Sequence, residues 1–208
     1  MKKIQLIYNF ETKTFEFGSA FNGFGIFQDE RSALDLDTVF SSKTKLTYVI
    51  TDWISGKPYY VQPTKEKIFR QMSASCALPF VHSPILIDGV FYRDGGFSDP
   101  MPLQKAIDDD NDEIIVVFNS SKGYYKSFKK KINDCGSLFL YHPSKSAELW
   151  RRLNRLESEL IKCPKVKIIR SFSEIPLKSK LETNKRKINQ TFDMGVESAY
   201  KFLSENNF

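Results

Sequence analysis

The stretch Ile85–Pro102, ILIDGVFYRDGGFSDPMP, constrains this chain more than any other. Ile85, Leu86 and Ile87 are strand formers, and Asp88-Gly89 is a strong two-residue turn signal. Val90, Phe91 and Tyr92 then make the returning strand, so a short hairpin is expected. That strand ends on Asp94, followed by Gly95 and Gly96. Two glycines let the backbone turn sharply and approach another segment, or a substrate, closely. A carboxylate at such a strand end, with nothing bulky beside it, is placed to accept a proton. Pro100 and Pro102 stiffen the exit, and Pro102 suits the first turn of a helix. Asp-Gly-Gly alone is ordinary turn chemistry, so its meaning depends on the flanks.

The 208 residues are enough for one domain with a real core, and 41% are hydrophobic, which excludes a disordered chain. No apolar run approaches the length of a membrane span. Met1-Lys2-Lys3 leads into IQLIYNF with no small-residue cleavage site, so no secretory leader is expected. Cys76, Cys135 and Cys163 are odd in number and far apart, with no C-x-x-C pair. Neither a zinc site nor a disulfide framework is therefore expected. These features predict a cytoplasmic protein with free thiols. Charge is uneven. Residues 1–118 carry 12 Lys and Arg against 16 Asp and Glu, whereas residues 119–208 carry 19 against 9. The basic, helix-rich part could meet an anionic membrane surface and make the protein peripheral to it. Tyr124 and Tyr125 lie near the Lys126–Lys131 cluster, but no recognised motif accompanies them, and no nucleic-acid partner is expected.

Strands and helices alternate along the chain. Lys3–Tyr8 predicts a strand, Leu34–Phe40 a short helix, and LTYVIT from Leu46 a strand buried on both faces. Tyr59–Val61 reads as a further strand, and Thr64 as the cap of a helix over Lys65–Cys76 with Ile68, Met72 and Cys76 on one stripe. Leu103–Asp108 is a helix, Ile114–Phe118 a buried strand, and Asp108–Asp112 a solvated loop. Leu149, Leu153, Leu156 and Leu160 have helical spacing. Val166–Ile169 is a strand, and Lys185–Leu203 a helix with Ile188, Phe192, Val196 and Tyr200 on one face. This order predicts an α/β layer fold with a largely parallel central sheet, in a single domain spanning 1–208.

The run from Ala74, ASCALPF, through LIDGVFYRDGGFSDPMPLQKAI to DEIIVV resembles the second half of bacterial patatin-like phospholipases. Val49-Ile-Thr-Asp52 with Ser55-Gly-Lys57 is similar to that family's "TD…TGK" strand and turn. The resemblance implies a layered α/β/α fold acting on lipid acyl esters through a Ser-Asp dyad, with no metal or cofactor. By that resemblance Asp94 is the proton acceptor, and Gly95 and Gly96 are its motif loop. The serine nucleophile is not found. No two of the ten glycines are four positions apart, so G-x-S-x-G occurs nowhere, and no adjacent glycines precede Gly95. Ser75, Ser98 and Ser19 lack the elbow, and a Ser…Asp94…His142 order has no elbow serine to support it.

The chain is thus expected to be a partial patatin-like domain, incomplete at its N-terminal side, inactive alone although its family is hydrolytic. Without the strand that would carry the nucleophile, Leu46–Thr51 or Ile114–Phe118 should present an apolar edge, which a partner chain would cover. The rival expectation is a non-catalytic module binding a membrane surface or a protein partner.

Overall fold

The computed structural model describes residues 4–8 (backbone only), 35–77, 82–121, 162–177 and 182–206. Ser19, His142, the tyrosines at 124 and 125, the basic cluster after them and the leucines at 149–160 lie outside the described residues. The described residues fall into two compact units: 35–77 and 82–100 in one, and 4–8, 101–121, 162–177 and 182–206 in the other.

The first unit holds helix α1 (Leu36–Ser41), strands β2 (Tyr48–Asp52) and β3 (Pro58–Val61), helix α2 (Ile68–Ser75), and the hairpin β4 (Ile85–Ile87) and β5 (Val90–Asp94). In the second unit are strand β1 (Ile4–Tyr8), helix α3 (Leu103–Asp108), strands β6 (Glu113–Val117) and β7 (Val166–Ile169), and helix α4 (Lys185–Asn206). The protein is α/β, as its alternating elements predict. Parallel pairing belongs to one sheet, ordered β1-β6-β7. The other sheet, ordered β3-β2-β5-β4, is antiparallel throughout. For two of its three pairs, β2–β3 and β4–β5, the reason is local. β2 and β3 are joined by a tight turn in which the Asp52 carboxylate accepts from Ile54 N and Ser55 N, with Gly56 at φ 64°. β4 and β5 are joined by Asp88 and Gly89 at φ 50° and 82°, the paired positive angles of the hairpin turn read from Asp-Gly. Tight turns can join only antiparallel neighbours.

Neither strand expected to be an apolar edge is one. β2 lies between β3 and β5, and β6 between β1 and β7. β6 is paired with a neighbour on either side, and β2 is paired with β3 over Tyr48–Thr51 and with β5 over Ile50–Asp52, so neither is an edge strand.

Each unit has its own core. Ile50, Ala74 and Ile87 are buried together in the first, with Val61, Ile85 and Tyr92 against them. In the second, Met101, Leu103, Ala106, Ile114 and Val116 are buried, with Phe118, Val166 and Ile168 alongside. Fully burying one such aliphatic side chain is worth roughly 1.5–3 kcal/mol.

Helix α2 begins later than Thr64 would place it. The Thr64 carbonyl accepts from Lys67 N and Ile68 N, making a turn before the helix, and Lys67 is the N-cap. Its buried residues are Ile68, Gln71, Ser73 and Ala74 rather than the stripe of Ile68, Met72 and Cys76. Asn111, placed in the solvated acidic loop by its neighbours, is buried and donates its amide to the Ala106 carbonyl.

Candidate functional site

Asp94 is the last residue of β5 and the N-cap of a short 3-10 turn, Gly95–Phe97. Its φ and ψ are −46° and 129°, so the chain leaves the strand at this residue. One carboxylate oxygen, Oδ1, accepts from Gly96 N at 2.7 Å. A carboxylate accepting a backbone N–H at a turn is held in orientation by a charge-assisted bond. Asp94 N donates to the Ala77 carbonyl at 3.3 Å, tying the strand end to the segment that follows α2.

The two glycines differ in what they do. A Cβ on Gly95 would stand 2.1 Å from the Val49 carbonyl oxygen and 2.5 Å from its carbon. Gly95 is therefore a point of close approach between the loop and β2. At Gly96 the nearest atom to such a Cβ is Asp94 Oδ1, at 3.0 Å. Gly96 contributes its N–H, and Gly95 contributes space.

Further residues hold this loop and the strand end before it. Thr51 Oγ1 donates to the Asp94 carbonyl at 2.7 Å and lies 2.7 Å from Ser98 Oγ. The Gly95 carbonyl accepts from Ser98 N and Asp99 N. Asp99, only 1% exposed, accepts the Tyr60 hydroxyl proton at 2.7 Å. Arg93, also buried, donates from Nη1 to the His82 carbonyl at 2.8 Å, with its guanidinium 4.0 Å from the centre of the Trp53 ring.

Cys76, at the C-cap of α2, shares the environment of Asp94. Burial pushes its thiol up to about 12, and the nearby Asp94 charge adds to the effect. A thiol so placed stays protonated at neutral pH and is a poor nucleophile. Ser75 donates its hydroxyl to the Val49 carbonyl at 2.9 Å, a packing role in keeping with its small-residue helix. His82 Nδ1 lies 2.7 Å from the Ser83 carbonyl. Among the described residues, no group of three or more His, Cys, Asp or Glu is arranged to hold a metal ion.

Sequence reasoning places Asp94, Gly95 and Gly96 together because they are contiguous. Thr51, Tyr60 and Asp99 are not legible as their supports. The strand pairing brings Ile50 opposite Asp94 and Thr51 opposite Arg93, and only that register shows which hydroxyl reaches the loop.

Residues 8–107 match the family model for patatin-like phospholipase. Through that stretch the chain is similar to this family. No curated protein matches the chain. The patatin-like stretch covers the whole four-stranded antiparallel sheet, α2 and the Asp-Gly-Gly loop, so the loop geometry above lies inside the matched residues. Among the described residues, no helix is long and apolar enough to cross a membrane.

Proposed function

We propose that this chain carries the proton-acceptor half of a patatin-like acyl-ester hydrolase acting on lipid, with Asp94 as the acceptor and Gly95-Gly96 as its motif loop. The observation that carries this reading is the Asp94 carboxylate at the end of β5, oriented by the Gly96 N–H, within the residues that match the family. In a serine–aspartate dyad the carboxylate takes the serine proton directly, so its position must be set by the fold before the ester arrives. A strand end followed by a glycine that admits no Cβ supplies such a position.

The same reading makes this chain inactive by itself. Its sequence holds no G-x-S-x-G, and the serines near Asp94 are engaged elsewhere. Removing the nucleophile of a serine hydrolase costs about 10⁶ in rate. Hydrolysis then needs a polypeptide that supplies the elbow serine and the oxyanion donors.

The test uses a short-chain p-nitrophenyl ester and has two arms. The purified chain should show no rate above buffer, and Asp94→Ala should change nothing. Co-expression with a patatin-like segment bearing G-x-S-x-G should produce a rate that Asp94→Ala abolishes. A rate from the chain alone that Asp94→Ala removes would overturn the predicted inactivity. A complemented rate indifferent to Asp94→Ala would overturn the role of Asp94.

A further inference from the structure

The hydroxyls behind Asp94 form a chain whose direction can be worked out. Thr51 has one hydroxyl proton, and its geometry gives that proton to the Asp94 carbonyl, 2.7 Å away. The 2.7 Å contact between Thr51 Oγ1 and Ser98 Oγ therefore takes its proton from Ser98. Ser98 has an alternative acceptor in the Gly95 carbonyl, but at 3.4 Å that contact is much longer. The order is Ser98 to Thr51 to the Asp94 carbonyl. Thr51 is buried in the middle of its sheet, and Ser98 stands at the far end of the 3-10 turn. The two hydroxyls thus bridge the loop's ends through β2, across 43 and 47 residues of sequence.

We infer that Thr51 and Ser98 are positioning residues for the Asp94 carboxylate. The inference rests on the reading of Asp94 as proton acceptor and extends it to residues outside the Asp-Gly-Gly motif. The physical reason is leverage. The Asp94 side chain is fixed at one end by Gly96 N and at the other by its own backbone. Pinning the Asp94 carbonyl sets the peptide plane from which the 3-10 turn departs, and that plane decides whether Gly96 N–H meets the carboxylate. Ser98 keeps the Thr51 hydroxyl turned toward Asp94 by occupying its lone pair. It also spends its own proton there, which is why Ser98 does not serve Asp94 as a nucleophile despite its nearness.

The experiment is NMR on the full chain, following the Gly96 amide in the wild type and in Thr51→Val, Thr51→Ser and Ser98→Ala. Thr51→Val keeps the shape and removes the donor. It should speed hydrogen exchange at Gly96 by about tenfold, the equivalent of one net hydrogen bond. It should also raise, by about half a unit or more, the pH at which the Gly96 resonance reports protonation of its partner, because a lost N–H donor no longer favours the charged carboxylate. Thr51→Ser should restore both readouts, and Ser98→Ala should move them in the same direction as Thr51→Val. A purely structural threonine would lower the melting temperature and leave the titration where it was. That outcome overturns the inference, as does a Thr51→Ser variant behaving like Thr51→Val. If Thr51→Val does not fold, an unchanged Gly96 titration in Ser98→Ala overturns it equally. Neither readout depends on turnover, so the clamp stands or falls separately from the ester assay.

Discussion

An alanine at position 95 would bring its Cβ within 2.1 Å of the Val49 carbonyl oxygen, a distance no relaxed side chain tolerates. The obstacle is backbone in the middle of a sheet, so it cannot swing aside. Gly95→Ala should therefore cost about 3 kcal/mol or prevent folding, comparable to the severe end of overpacking. Gly96→Ala meets only the Asp94 carboxylate at 3.0 Å and should cost about 1 kcal/mol or less. Urea unfolding of both variants checks this, and equal losses would contradict it. At this scale the sequence is half legible. Adjacent glycines after a strand-ending aspartate announce a turn, but nothing in them says which glycine is needed for space and which for its N–H. That difference depends on β2, more than forty residues earlier.

Helix α4 shows the same division at the scale of an element. Its start at Lys185 is where the sequence places it, with Asn184 Oδ1 accepting from Arg186 N and Lys187 N, while its end at Asn206 lies three residues beyond the expected Leu203. Its apolar face does not behave as the spacing implies. Phe192 and Tyr200 are each 70% exposed, while the buried residues are Ser198 and Phe202. Ser198 donates its hydroxyl back to the Met194 carbonyl, which satisfies it without a partner outside the helix. Phe202→Ala should accordingly cost about 3 kcal/mol. Phe192→Ala should stay within about 0.5 kcal/mol of the wild type. Thermal melts of the two variants decide it, and a large loss at Phe192 would show that this face is covered. Periodicity reveals that a helix has an apolar stripe; it does not reveal that the residues buried are Ser198 and Phe202 beside that stripe.

For the molecule as a whole, two half-buried acids set an alkaline limit. The Cys76 thiol is raised from 9.0 to about 12 and the Tyr48 phenol from 10.0 to about 12, both chiefly by burial. In the window between the unfolded and folded values, the unfolded chain has released protons that the folded chain still holds. Stability contributed by these groups is thus fully present below pH 9 and is lost as pH rises toward 12. The melting temperature should fall across that window, and Cys76→Ser should flatten the part that begins near 9.0. A Cys76→Ser variant that tracks the wild type throughout would contradict the assignment.

What the sequence determined by itself is local and contiguous. The Asp-Gly hairpin, Leu103–Asp108, the strands at 113–117 and 166–169, the α/β class and the turn at Asp-Gly-Gly are all written in neighbouring residues, because turn chemistry and periodicity act over a few positions. Tertiary structure decided what depends on residues meeting across the chain. It set the antiparallel pairing of β2 with β5 and the interior places of β2 and β6. It also set the burial of Asp99 under Tyr60 and the Ser98–Thr51–Asp94 hydroxyl chain. Strand register is a property of two segments at once. A one-residue slip would turn Thr51 to the other face and leave the Asp94 carbonyl without its donor.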